Sequence, residues 1–175
     1  MIVNKDSFEK EFSNTFGNLS RESLSAIETK RVRFELGEDF FSNERIDLAI
    51  KKSTLILEYY FLTSDIWMRI IIWDKEQKNS LINLLKEYLK DKLNYFFEGV
   101  YNGEDILYIY CNVYNPPLII SIASLIINFE QGKEPSANIT CYFINFVNAV
   151  IANIYDDRGM DVVSFPAGAS EGVEK

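Results

Sequence analysis

The sequence predicts a single α+β domain in which one mainly antiparallel β-sheet packs against three to four α-helices. The first supporting observation is the segment Ser136 to Phe165, whose three apolar runs are separated by Asn, Asp and Gly, as in a C-terminal β-meander. The second is the pair Asn102-Gly103 between two aromatic runs, which is a strong hairpin signal. The third is the alternation of amphipathic helical segments with these strands, which favours a sheet covered by helices.

Length and composition agree with one globular domain. The 175 residues are 47% hydrophobic, which is enough to bury a sizeable core, and we place the domain at residues 1–165. No apolar run reaches the roughly 20 residues that span a bilayer, and Met1 to Lys10 lacks the apolar core of a secretory signal. We therefore expect a cytoplasmic protein that does not enter the membrane, with Cys111 and Cys141 as buried thiols in strands.

The N-terminal region predicts a helix and an edge strand. The helix spans Ser7 to Phe16, because three phenylalanines repeat at intervals of four residues and so share one side. Gly17 follows it as a stop, and the polar segment 18–29 predicts no defined element. Lys30 to Leu36 alternates charged with apolar residues, which favours an edge strand or an extended arm. Its basic side chains could contact phosphate, but such a triplet more often forms a solvated face.

A long helix and a central strand come next. Ser42 is a good N-cap for a helix that continues to about Leu62 with its apolar residues near one face. Ile66 to Trp73 is apolar on both faces, as expected of a central strand covered by helices. Arg69 lies inside this strand, where a charge needs a partner. We favour the simpler interpretation that its guanidinium extends to the sheet edge.

The second half of the chain predicts two helices and a hairpin before the meander. Lys75 to Lys92 has a leucine stripe typical of an amphipathic helix, and Tyr95 to Cys111 gives two strands around the Asn-Gly turn. Asn115-Pro116-Pro117 opens a last helix, since Asn can cap and Pro is tolerated in the first turn. Leu118 to Phe129 is apolar almost all round, so we expect it to be buried in the domain. The small, polar tail at residues 166–175 is expected to be flexible.

Composition excludes some classes of function and favours others. The chain has no histidine, which excludes His-dependent triads and histidine-ligated zinc sites. Residues 96–175 hold 10 acidic against 3 basic residues, which accounts for most of the net charge of −8. An acidic half repels nucleic acid and attracts basic proteins, although it can also be an ordinary solvated surface.

Three carboxylates cluster in the turn Tyr-Asp-Asp-Arg-Gly and just after it, namely Asp156, Asp157 and Asp161. Clustered carboxylates can bind Mg²⁺ or act in acid–base chemistry, with Arg69 or Arg158 as an anion clamp. Aspartate in a hairpin loop more commonly bonds its own main chain, so we interpret the motif first as a turn. A divalent-metal-binding or enzymatic domain centred on these residues is the alternative.

Several motifs resemble an uncharacterised bacterial domain family that closes on a Tyr-Asp-Asp-Arg-Gly hairpin. They are Ile70 to Asp74, Tyr114 to Leu118, Asn128 to Glu130, Cys141 to Phe146 and Ile154 to Val162, within a similarity over roughly residues 43–165. Such proteins resemble immunity proteins of bacterial toxin systems, including contact-dependent growth inhibition. The resemblance implies a small cytoplasmic protein that blocks the C-terminal domain of a toxin, often a nuclease, without catalytic residues of its own.

The leading hypothesis is therefore an immunity protein, and not an enzyme, that is a monomer alone and a heterodimer with its toxin. It needs no cofactor, and its acidic half would dock on the basic cleft of a nuclease. The candidate contact residues are Glu98, Glu104, Asp105, Glu130, Glu134, Asp156, Asp157 and Asp161. A third hypothesis is a subunit or regulator that holds the apolar Leu118 to Phe129 helix in a permanent interface.

Overall fold

The computed structural model describes residues 1–17, 19, 24–27, 30–37 and 43–165. Within these ranges it shows four α-helices and a seven-stranded antiparallel sheet, which confirms the predicted α+β fold. The elements in chain order are α1 (Lys5–Phe16), β1 (Arg31–Glu35), α2 (Asn43–Phe61), β2 (Ile66–Ile72), α3 (Lys78–Tyr88), β3 (Tyr95–Tyr101), β4 (Glu104–Cys111), α4 (Pro116–Glu130), β5 (Ile139–Asn145), β6 (Val150–Ile154) and β7 (Gly159–Ser164).

The strands are ordered β1-β7-β6-β5-β2-β4-β3 across the sheet, and every neighbouring pair is antiparallel. The predicted C-terminal meander is confirmed as β5-β6-β7. The predicted central strand is also confirmed, because β2 lies between β4 and β5. The N-terminal strand β1 returns to pair with β7 and forms one edge of the sheet, as predicted, while β3 forms the other edge.

Helices cover the two faces of the sheet unequally. Helices α2, α3 and α4 pack on one face over a core of aliphatic side chains such as Met68, Ile70 and Leu107. On the other face, α1 inserts its three predicted phenylalanines among Trp67, Tyr108 and neighbouring aromatic rings. Burying each such side chain stabilises the fold by about 1.5–3 kcal/mol, so α1 is part of the core and not an appendage.

The N-terminal cap explains where α1 begins. Asn4 and Ser7 form a capping box, in which the Ser7 amide donates to Asn4 Oδ1 at 2.9 Å and Ser7 Oγ accepts from the Asn4 amide at 3.1 Å. The helix therefore starts at Lys5, two residues earlier than predicted. It ends at Phe16 and is capped by Gly17, which has a φ of 65°.

The helix predicted over Lys75 to Lys92 is shorter in the structure. Residues 75–77 form a 3₁₀ turn capped by the Asp74 side chain, and α3 ends at Tyr88. Asp91 then forms a turn, since its side chain accepts the amide hydrogen of Leu93 at 3.0 Å. The predicted N-cap Ser42 and the predicted tail at residues 166–175 lie outside the described residues.

Helix α4 is buried in the domain, as predicted. Eight of its fifteen residues are buried against the sheet and the neighbouring helix α2. Its polar residues find partners within the fold: Ser121 donates to the Tyr88 hydroxyl at 3.0 Å, and Asn128 donates to the Pro135 carbonyl at 2.9 Å. None of the helices in the described ranges has the length and apolar character needed to cross a bilayer.

Two smaller predictions are also confirmed. Asn102 and Gly103 have φ values of 52° and 82°, as a type I′ hairpin turn requires. Cys111 and Cys141 are buried free thiols. Burial raises the pKa of Cys111 to about 12 and also raises that of Cys141, so neither is a reactive thiolate at neutral pH.

Candidate functional site

The final hairpin is built around its own aspartate, as the turn interpretation predicts. Ile154 pairs with Met160, so residues 155–158 form the loop between β6 and β7. The Asp156 carboxylate is buried and accepts the Arg158 backbone amide at 2.7 Å and the Arg158 Nε at 2.8 Å. The Arg158 side chain is 76% exposed, so this pair closes the loop at the protein surface.

Asp157 ties the same loop to two helices. Its buried carboxylate accepts hydrogen bonds from Arg45, in the first turn of α2, and from Gln131 Nε2, just after α4, at 3.1 Å. The chain at Gly37 passes close by, because a Cβ there would lie 2.7 Å from the Asp157 carbonyl oxygen. Only glycine permits this approach, so the loop, α2 and the end of β1 form one packed unit.

Asp161 joins the two ends of the chain. It is fully buried on β7 and accepts hydrogen bonds from Arg31 Nη1 at 3.2 Å and Arg33 Nε at 3.1 Å, both on β1. Burial raises the pKa of this carboxyl, but hydrogen bonds from Arg33 and Arg31 more than offset burial, so its pKa lies below the usual value. The predicted solvated face is confirmed in part, since Lys30 and Arg33 are exposed. Arg31 is partly buried, and together with Arg33 it also holds β1 on the sheet.

These three aspartates therefore have structural roles. The prediction that they belong to an exposed acidic surface is wrong, because each is buried and bound to one or two arginines. The alternative of a divalent-metal-binding or enzymatic domain centred on these residues stays a prediction, although each carboxylate is already bound to a different arginine or arginine pair. In the described part of the chain, no group of three or more His, Cys, Asp or Glu side chains is arranged to hold a metal ion.

The buried Arg69 has a partly buried partner that sequence reasoning missed. Its Nε donates to Glu9 Oε1 of α1 at 2.9 Å, and the Tyr108 hydroxyl donates to the same oxygen at 2.7 Å. Its guanidinium also lies over the Tyr101 ring, 5.1 Å from the centroid. The expectation that it extends to the sheet edge is wrong, because α1 covers this part of the sheet and brings Glu9 onto it.

The other five candidate carboxylates do remain at the surface, and most of them share one end of the sheet. Ile72, the last residue of β2, pairs with both Asp105 and Ile139, so the start of β4 and the start of β5 meet there. The connection from α4 to β5 reaches the same place, because the Asn138 amide donates to Gln77 Oε1 at 2.8 Å. We call this set the acidic end; its members are Glu98, Glu104, Asp105, Glu130 and Glu134.

Charge and exposure differ among these residues. Glu130 and Glu134 are exposed, whereas Glu104 and Asp105 are partly buried. Glu98, farther along β3, is linked to Asp105 through Lys78, whose Nζ lies 2.7 Å from Glu98 and 3.4 Å from Asp105. The ion pairs with Lys78 hold this hairpin against the start of α3 and leave a surplus of negative charge facing solvent.

An aromatic side chain borders the acidic end. Trp73 follows β2 directly and is 49% exposed, and its Nε1 donates to Thr140 Oγ1 of β5 at 2.9 Å. Aromatic side chains are enriched in protein interfaces relative to the rest of the surface. The end of the sheet thus combines exposed carboxylates with one half-exposed aromatic ring.

Comparison with known proteins identifies a family. Residues 8–167 match the family described as a domain of unknown function, DUF3885. No curated protein and no solved structure matches the chain. The match begins within α1, so it includes the N-terminal helix and β1, which lie outside the predicted similarity over residues 43–165.

Proposed function

The chain belongs to the DUF3885 family, a domain of unknown function, and we propose that it is an immunity protein that neutralises a bacterial toxin domain by direct contact. The proposed target is a basic nuclease domain met in the cytoplasm. The observation that carries the proposal is the acidic end, where carboxylates from three separate chain segments remain exposed or partly exposed.

The distribution of charge supports this choice of surface. The three buried aspartates are matched by four arginines, so they contribute no net negative charge. The net charge of −8 is therefore carried by other residues. Grouped surface carboxylates attract a basic partner over about a Debye length, ~8 Å at physiological ionic strength, and so raise its association rate.

The mode of inhibition follows from this complementarity. A nuclease cleft binds phosphates with lysine and arginine side chains. Carboxylates on a rigid sheet end can pair with the same side chains and exclude the nucleic acid. The protein then needs no reactive group of its own, since occupancy of the cleft blocks the toxin.

The proposal is tested by charge reversal at the acidic end. The double variant Glu104→Lys/Glu130→Lys should bind the toxin domain encoded directly upstream at least about tenfold more weakly than the unmodified chain, measured by calorimetry. The matched control is Glu58→Lys/Glu87→Lys, which changes the charge equally on α2 and α3 near the opposite end of the sheet. We expect the control to bind within about twofold of the unmodified chain.

Two outcomes would contradict the proposal. Equal affinity of both double variants would remove the acidic end as the contact surface. Absence of any binding by the unmodified chain, together with undiminished nuclease activity in its presence, would refute the immunity function itself.

A further inference from the structure

Strand β3 offers a second feature that can recognise a protein partner. It pairs with β4 on one side and has no strand neighbour on the other within the described residues. In a two-residue hairpin the flanking residues, here Tyr101 and Glu104, exchange hydrogen bonds with each other. Alternate residues of β3 therefore direct their N–H and C=O groups away from the sheet; these are Phe96, Glu98 and Val100.

The two edges of the sheet are protected to different degrees. The edge strand β1 has three charged residues among five, a common device against pairing with another chain. Strand β3 has a single charge, Glu98, among seven residues and contains no proline or lysine. Val100 is 54% exposed on it. The β3 edge is therefore open to a further strand.

We propose that an extended segment of the toxin domain pairs with β3 and becomes the eighth strand of the sheet. This inference rests on the proposed immunity function and specifies its contact. The segment should carry basic side chains, because Glu98 lies on β3 and Glu104 and Asp105 lie just across the hairpin. A second copy of this chain fits less well, since self-pairing would bring the same acidic hairpin against itself.

A proline substitution tests the role of the free backbone groups. Val100→Pro removes one outward N–H, which the sheet does not use, and proline is tolerated at such edge positions. Binding of the toxin domain should weaken by at least about 50-fold, because pairing loses a hydrogen bond and meets the proline ring. The control Val100→Thr keeps the N–H and should bind within about threefold of the unmodified chain. Circular dichroism melting of both variants checks that they fold.

Hydrogen exchange of the unmodified chain tests strand addition at β3 even if the proline variant fails to fold. The amides of Glu98 and Val100 should exchange rapidly in the free protein and at least about 100-fold more slowly in the complex. Rapid exchange in the complex, or tight binding by Val100→Pro, would overturn strand addition.

The remaining outcomes separate the two proposals. Protection that appears without toxin and grows with protein concentration would assign the edge to a second copy and also overturn strand addition. Binding that depends on the acidic end but leaves the β3 amides unprotected would overturn strand addition alone. If the unmodified chain does not bind the toxin domain at all, both the immunity function and strand addition are refuted.

Discussion

Asp161 is a fully buried carboxylate whose two partners, Arg31 and Arg33, lie at the other end of the chain. A buried charge is tolerated when its partners are well placed, and removing one partner leaves the other uncompensated. The sequence identifies the aspartate but not its partners, because 128–130 residues separate them and only the pairing of β1 with β7 brings them together.

Substitution of this carboxylate should destabilise the fold. Asp161→Asn keeps the size of the side chain but removes the charge that holds β1. We expect a loss of about 2–4 kcal/mol in the free energy of unfolding, measured by urea denaturation. The matched control is Asp156→Asn, whose partner Arg158 is largely exposed, and it should lose less. Equal losses in the two variants would contradict the role assigned to Asp161.

The interaction of Asp161 with its two arginines also predicts that the free energy of unfolding depends on pH. The folded-state pKa of Asp161 lies below its unfolded value of about 4, so its stabilisation is complete above that pH. The stabilisation is lost as the pH falls through the folded-state pKa. The difference in unfolding free energy between the unmodified chain and Asp161→Asn should therefore shrink below about pH 4.

Among the elements, α1 shows best what sequence periodicity can and cannot predict. Its helical phenylalanine repeat and its burial follow directly from the spacing of Phe8, Phe12 and Phe16. The ion pair between Glu9 and Arg69 of β2 does not follow from that spacing. Glu9 is next to Phe8 in sequence, but no local signal indicates that its side chain reaches Arg69. A charge in an apolar strand predicts that a partner exists, but the tertiary fold decides which element supplies it.

A double-mutant cycle tests this attachment of α1. Glu9→Gln should cost about 2–3 kcal/mol of unfolding free energy, because it leaves the Arg69 guanidinium buried without an anion. The double variant Glu9→Gln/Arg69→Met should lose less than the sum of the single variants, with a coupling of about 1–3 kcal/mol. Additive losses, measured by urea denaturation, would show that the ion pair contributes nothing to holding α1.

For the whole molecule, local patterns predict the elements well and the long-range pairings poorly. The meander, the Asn-Gly hairpin and the buried α4 each follow from short sequence signals. The position of β2 between β4 and β5 cannot be predicted from such signals, since the three strands are far apart in the chain. The charge asymmetry likewise did not predict which carboxylates are unpaired, because arginines of the first half neutralise aspartates of the second half.

The net charge nevertheless predicts how association with a basic toxin should respond to salt. The association rate constant should fall at least about tenfold between 50 and 500 mM NaCl, because screening shortens the range of attraction. The dissociation rate constant should change less, and both can be measured by surface plasmon resonance. In the double variant Glu104→Lys/Glu130→Lys, the association rate constant should depend less steeply on salt concentration. The same salt dependence as in the unmodified chain would contradict steering by the acidic end.

The two indole rings of this chain occupy opposite environments. Trp67 is 4% exposed beneath α1, in edge contact with Phe8 at 5.4 Å, whereas Trp73 is half exposed beside the acidic end. Because indole emission shifts to longer wavelength in water, Trp67 reports release of the N-terminal helix and Trp73 reports coverage of the surface where a partner would dock. Replacing each tryptophan in turn by phenylalanine therefore yields two label-free optical reporters, one for the interior and one for the proposed contact surface.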